Sequence, residues 1–285
     1  MANCIRCGRQ LPPFTFKKIC QWCVQHEAAQ RGEDVEDARQ PVVAAPWVQR
    51  ESTITLTQFL FGANIAVFVA MILASGSLDF PGQVAVHFGA NFGPYTLTGE
   101  WWRLVTYMFL HGGLMHIFFN MWCLWDLGRL CESLYGRWTF AAIYLTTGIA
   151  GGLASILWRP QTPTVGASGA IFGLAGALIA SFYLGEFSLP SVAIGGTLRS
   201  LVIFAVFNLF FGGIFGGVDN ACHVGGLVSG LILGAAIARM AAQPQHEHRR
   251  IAIFLVTAAV LVGCAVELAN HHGLPFRLGR SPFEQ

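Results

Sequence analysis

SGAIFGLAGALIASFYLG, from Ser168 to Gly185, carries no charged residue and four glycines. A membrane helix needs about 20 predominantly apolar residues, and glycine is more frequent in membrane helices than in soluble ones. The stretch therefore reads as a short span with a serine at its entrance. Working outward, six further apolar stretches have the same character: Thr57–Ser75, Met115–Leu130, Trp138–Trp158, Leu198–Phe215, Ala221–Ala241 and Ile251–Ala269. Met115–Leu130 is short and holds polar residues, as does Ser168–Gly185. The whole chain agrees with this reading. Its 285 residues are 54% hydrophobic and 11% charged, whereas a soluble domain is about 25% charged. There is too little charge to wet the surface of a globule. The net charge of +2 says nothing about partners, and no basic run is long enough to suggest nucleic acid, so no nucleic-acid partner is expected. The first apolar run begins near Leu56, too late for a cleavable signal, so it is expected to stay in the membrane.

Lys and Arg orient the spans, because they collect on the cytoplasmic side. With a cytoplasmic N-terminus, 13 of the 17 lie inside: Arg6, Arg9, Lys17, Lys18, Arg31, Arg39, Arg50, Arg129, Arg137, Arg199, Arg239, Arg249 and Arg250. Only Arg103, Arg159, Arg277 and Arg280 lie outside. The reverse orientation is rejected, and the C-terminus is expected outside. Asp79 to Gly113 becomes a long outer loop, whose Trp101, Trp102 and Tyr107 suit a membrane interface.

Ionisable residues inside a membrane are costly and usually functional. In this orientation the second, fourth and sixth spans all enter from the outer face. Their first turns hold His116 and Asn120, then Ser168, then His223. A nucleophile, a base and two hydrogen-bond donors thus reach one depth in the outer leaflet. Serine is a weak nucleophile until a base takes its proton, and neutral imidazole suits that role. His116 and Asn120, four apart, share a helical face and are candidate oxyanion donors together with the Ser168 backbone N–H. Gly226, Gly230 and Gly234 follow His223 at four-residue intervals, which lets the sixth helix lie tight against a neighbour. Each part has a plainer reading: a packing serine, a histidine that binds a metal or relays protons. The four together at matched depth favour catalysis. Asp219, four residues before His223, is either an orienting acid or a solvated loop carboxylate.

Five ordered motifs between Leu56 and Ala241 resemble the rhomboid family. Glu100-Trp101-Trp102-Arg103 is similar to its tryptophan–arginine motif, and His111 to Asn120 to its HxxxxHxxxN segment. Gly128 to Gly136, with Glu132, resembles GxxxExxxG. Gly166-Ala167-Ser168-Gly169 is similar to the nucleophile motif, and Ala221 to Gly230, holding His223 and Gly226, to the histidine motif. The resemblance implies an all-α membrane protein, a six-helix rhomboid core with a seventh C-terminal helix appended. It implies a Ser168–His223 dyad that cuts transmembrane-anchored proteins without a catalytic cofactor. It makes Gly166, Gly169, Trp102, Arg103, Glu132, Gly226 and Gly230 motif positions, of which Arg103 and Glu132 hold loop and helix ends. Residue 172 is Phe where some members place Tyr beneath the histidine. Two other classes are a non-catalytic rhomboid-like binder of transmembrane helices and a transporter. Few polar residues in the inner halves of the spans argue against transport.

Cys4-x-x-Cys7 and Cys20-x-x-Cys23 have the spacing of a small zinc ribbon. In a cytosolic tail thiols stay reduced, which favours structural zinc over two disulfides. The expected organisation is a ribbon at 1–25, a solvated linker at 26–54, the core at 55–242, the seventh span at 243–270 and an outer tail at 271–285. The ribbon is expected to stabilise the tail or to bind a cytosolic partner. The ribbon also favours a bacterial inner membrane as the host. Phe211 to Gly217, with four glycines among seven residues, is the candidate gate over the site.

Overall fold

The computed structural model describes residues 3–8, 18–31, 55–80, 82–185, 191–214, 217–238 and 247–271. Most of the expected linker, the outer tail beyond 271 and gate residues Phe215 and Gly216 lie outside the described residues. The chain forms two compact units, Met1–Thr53 with Ser188–Gly195, and Ile54–Phe187 with Gly196–Gln285.

In the first unit, helix α1 (Gln21–Gln30) begins directly after Cys20. The Ile5 N–H donates to Lys18 O at 3.0 Å, which closes a loop and brings the two cysteine pairs together. Cys4 and Cys23 are buried against Ile19 and Cys20.

The second unit is helical, with one isolated bridge between Asn91 and Thr164 among the described residues. Its helices are α2 (Leu56–Ser75), α3 (Gly82–Phe88), α4 (Gly93–Thr96), α5 (Arg103–Thr106), α6 (Leu114–Tyr135), α7 (Arg137–Trp158), α8 (Ser168–Leu184), α9 (Ser191–Ile214), α10 (Asn220–Ile237) and α11 (Glu247–His271). Over the described residues, each of the seven apolar stretches coincides with a helix. By length and composition, Leu56–Ser75, Arg137–Trp158, Ile194–Ile214, Asn220–Ile237 and Arg249–Asn270 can each cross a membrane. The α8 helix is shorter, and α6 carries Asp126, Arg129 and Glu132.

The ends of these helices follow from local chemistry. Thr55 caps α2 and Gln58 reaches back to the Thr55 N–H, a reciprocal capping box. Gly76 ends α2 in the left-handed conformation at φ 67°. The α6 helix extends past Leu130 to Tyr135 because Glu132 has partners. Its carboxylate accepts from the N–H groups of Leu56 and Thr57 at 2.8 and 2.9 Å and from Thr57 Oγ1 at 2.8 Å. An acid is stabilised there by the unpaired N–H groups that begin α2. Phe211 to Ile214, read both as the end of the fifth apolar stretch and as the start of the candidate gate, is the last turn of α9. Apolar side chains continue the helical run there, and its two glycines do not break it.

The centre of the unit is α8, buried at every residue from Gly169 to Leu178. A helix apolar all round is stable only when surrounded. Its small side chains let α10 approach to backbone contact. A Cβ on Gly226 would strike Gly169 O, on Gly230 would strike Gly173 O, and on Gly234 would strike Ala177 O. By contrast α9 and α11 are peripheral and display Ile203, Val206, Phe207, Phe210, Leu255, Val256 and Val260. Such broad apolar surface suits lipid.

Candidate active site

Ser168 is the first residue of α8, and His223 lies in the first turn of α10. The close packing of these two helices carries His223 Nε2 to 2.8 Å from Ser168 Oγ. That is a full hydrogen bond between a candidate base and a candidate nucleophile. The imidazole is 8% exposed and stacks on Phe172, with centroids 4.3 Å apart and planes 12° apart. The Phe for Tyr change therefore keeps the packing. His223 Nδ1 has no hydrogen-bond partner among the described residues. Asp219 does not reach it. The Asp219 carboxylate accepts from the Cys222 N–H at 3.0 Å, from Thr164 Oγ1 at 2.8 Å and from Ser155 Oγ.

His116 opens onto the same place. Its Nδ1 accepts the Gly112 N–H at 3.3 Å, which leaves the proton on Nε2. A methyl group on Gly166 would lie 2.7 Å from His116 Nε2 and 3.7 Å from Ser168 Oγ. Gly166 also has φ +121°, a conformation that side chains disfavour. Glycine therefore leaves an atom-sized gap bounded by an N–H donor and the nucleophile. Ser168 starts a helix, so its backbone N–H has no intrahelical acceptor and belongs to the same end of α8. Asn120 is buried one turn further down α6, and its Nδ2 donates to His116 O at 2.9 Å. His111 is fully buried and meets His116 edge-on at 5.0 Å.

The other motif residues build the frame. Arg103 donates to Glu100 Oε2 at 2.6 Å and to the carbonyls of Val86 and Ala90 at 2.7 and 3.1 Å. It also lies 4.6 Å from the Trp102 ring, so one guanidinium gathers the outer loop. Gly169 lets Cys222 Sγ and Tyr107 Oη approach α8, each near 3 Å from where its Cβ would be. Sequence reasoning missed Tyr107 O, which accepts the Gly166 N–H at 2.9 Å, and the Asn91 backbone, which pairs with Thr164 in both directions. Backbone acceptors leave no trace in residue type.

In the tail, the four sulfurs of Cys4, Cys7, Cys20 and Cys23 lie within 4.8 Å of one another. Cys4 Sγ is 3.9 Å from Cys23 Sγ, and Cys7 Sγ is 3.5 Å from Cys20 Sγ. Tetrahedral zinc with bonds of about 2.3 Å requires sulfur separations of about 3.8 Å, so the set fits a four-thiolate site. All eight cysteines of the chain are free. The Cys20 N–H donates to Cys4 Sγ at 3.1 Å and holds that thiol low, at about 6.

Residues 98–240 match the Rhomboid domain. The chain belongs to the rhomboid family. It is 35% identical to the rhomboid protease GluP of Bacillus subtilis over 206 residues, 72% of this chain and 39% of GluP. It is 33% identical to the rhomboid protease AarA of Providencia stuartii over 205 residues, 64% of this chain and 72% of AarA. With the chloroplastic RHOMBOID-like protein 9 of Arabidopsis thaliana it shares 32% identity, covering 43% of that relative. The chain thus spans less than half of GluP and of the plant protein. This rhomboid is an all-α integral membrane protein of a family whose named members include proteases.

Proposed function

We propose that this rhomboid is an intramembrane serine endopeptidase that cuts transmembrane-anchored proteins with Ser168 and His223. The observation that carries the reading is the 2.8 Å contact between His223 Nε2 and Ser168 Oγ beside the Gly166 gap. As Ser168 Oγ attacks the scissile carbonyl carbon, His223 Nε2 takes its proton. The carbonyl oxygen becomes an oxyanion in the gap, held by His116 Nε2–H and the Ser168 N–H, with Asn120 behind them. His223 then returns the proton to the leaving amine, and an acyl group remains on Ser168. Water, deprotonated by His223, attacks that ester, releases the acid and restores the serine. No metal or cofactor is needed in these steps.

The same reading puts the N-terminus in the cytoplasm of a bacterial cell and the site in the outer leaflet. Cys4, Cys7, Cys20 and Cys23 would hold one zinc ion, which closes the tail without an open coordination position. The tail, linker, six-helix core and seventh span then form successive modules. Labelling with a fluorophosphonate probe tests the function. The wild type is expected to be labelled at Ser168 and to cleave a transmembrane substrate, whereas Ser168→Ala and His223→Ala do neither while remaining folded. A wild type inert to the probe and without cleavage would leave the alternative of a helix-binding rhomboid.

A further inference from the structure

We infer that Asp219 is a positioning residue for the dyad, acting through Thr164 and Ser155 and without touching His223. The inference rests on the proteolytic reading above. Asp219 precedes His223 by four residues, and Thr164 precedes Ser168 by four. One carboxylate joins these two points. Asp219 Oδ1 accepts the Cys222 N–H at 3.0 Å and caps α10, which fixes the turn that carries His223. Asp219 Oδ2 accepts from Thr164 Oγ1 at 2.8 Å, in the loop that enters α8. The same oxygen accepts from Ser155 Oγ of α7, and the two hydroxyls lie 2.6 Å apart. Ser155 and Thr164 are both buried. Thr164 is fixed from its other side, since its N–H and C=O pair with the Asn91 backbone at 2.8 and 3.0 Å.

An ordinary helix cap needs none of this. A serine or threonine would satisfy the Cys222 N–H, and any polar loop residue would solvate a carboxylate. The second oxygen instead binds buried hydroxyls from two other elements. The α8–α10 contact runs along the backbone at Gly169, Gly173, Gly226 and Gly230, so at these positions no side chain fixes its register. A polar clamp at the open end of that contact would fix the register and hold the 2.8 Å Ser168–His223 distance. A misplacement of about 1 Å costs on the order of 100-fold in rate.

The test compares Asp219→Ala, Asp219→Asn, Thr164→Val, Ser155→Ala and the Asp219→Ala/Thr164→Val double variant in detergent. The readouts are the rate of Ser168 labelling by a fluorophosphonate, kcat and KM on a transmembrane substrate, and the thermal midpoint. Asp219→Ala and Thr164→Val are each expected to slow labelling and kcat by about tenfold or more, with KM within about twofold. The double variant should be no slower than the slower single one, because both remove the same link. Asp219→Asn, which can still cap α10 and bond both hydroxyls, should recover most of the rate. Thr164→Val at the wild-type rate, or losses that multiply in the double variant, would reduce Asp219 to a helix cap and overturn the inference alone. Losses that follow the thermal midpoint would do the same. A wild type that is never labelled overturns the proteolytic reading and the inference together.

Discussion

Phe172 lies face to face with His223, ring centroids 4.3 Å apart and planes 12° apart. Since His223 Nδ1 has no partner among the described residues, this ring and the Ser168 contact together set the imidazole plane. An aromatic pair contributes about 0.5–1.5 kcal/mol beyond its burial, which corresponds to roughly 2- to 13-fold in rate. Phe172→Ala should therefore lower kcat by about tenfold, and Phe172→Tyr should stay close to the wild type. Full turnover of the alanine variant would mean that His223 is oriented without this ring.

The oxyanion donors should be unequal. His116 Nε2 borders the Gly166 gap, whereas Asn120 spends one N–H on His116 O at 2.9 Å. Losing one donor typically costs about 10²–10³ in rate. His116→Ala should fall in that range and Asn120→Ala below it, both in kcat with KM little changed. Equal and small losses would assign the oxyanion to the backbone N–H of Ser168.

Much of this was legible before the fold was known. The helices were visible as uninterrupted apolar runs, and the entry of Ser168, His223 and His116 from one face followed from counting spans between charged loops. Helix ends were harder. Glu132 reads as holding a helix end, and it does, but nothing in the sequence names its partners on α2, some 75 residues away. Phe211 to Ile214, shared in the sequence between the fifth apolar stretch and the glycine-rich candidate gate, is the last turn of α9. Asp219 reads from the sequence as an acid orienting His223 or a solvated loop carboxylate. It makes no hydrogen bond to His223 and is bound instead by the Cys222 N–H and the hydroxyls of Thr164 and Ser155, to which nothing in the sequence ties it.

The glycine seam gives a stability test with an internal control. A Cβ on Gly226 would collide with Gly169 O, a backbone atom that cannot rotate away. Gly226→Ala should force α10 off α8, lower the thermal midpoint and abolish labelling of Ser168. Gly263 in α11 has nothing within 4 Å of its would-be Cβ. There the same change should be neutral or stabilise by up to about 1 kcal/mol through helix propensity. If the two variants melted alike, the close packing of α8 on α10 would not be what limits stability.

The tail should carry one zinc ion per chain, measured by elemental analysis of purified protein. Cys4→Ser/Cys7→Ser should lose it, because two thiolates cannot replace four in a closed tetrahedral site. Chelation should likewise unfold the tail. No catalytic group is proposed there, so a chain lacking residues 1–50 should still cleave a detergent-solubilised substrate. Intact-mass data with two disulfides in freshly isolated protein would rule out the metal.

Substrate entry places the last demand on the fold. Ser168 sits where α8 begins within a bundle, yet both a peptide bond and water must reach it. Among the described residues α9 is a lightly covered wall, with Ile203, Val206, Phe207 and Phe210 exposed. Among the described residues its anchors include buried Leu201 and Ala205, Phe204 at 5.3 Å from Phe172, Gly212 packed on Asn220 and Val218, and the Asn220 Nδ2 donation to Leu209 O at 2.9 Å. A helix so lightly covered can tilt into lipid at small cost, and Phe204 connects its position to the ring under His223. Phe211, in the last turn of α9, and Phe215, four residues further along the sequence, should then act as a plug. Replacing both with Ala should leave turnover of a transmembrane substrate unchanged or raise it, and should speed labelling by a bulky fluorophosphonate. A disulfide joining the outer end of α9 to α6 should block cleavage until reductant is added. Substrates should favour small or helix-breaking residues near the outer end of their span, since a helical peptide bond must unwind before it can be attacked. If the tied protein cleaved at the untied rate, entry would not pass between these helices and α9 would be a fixed wall.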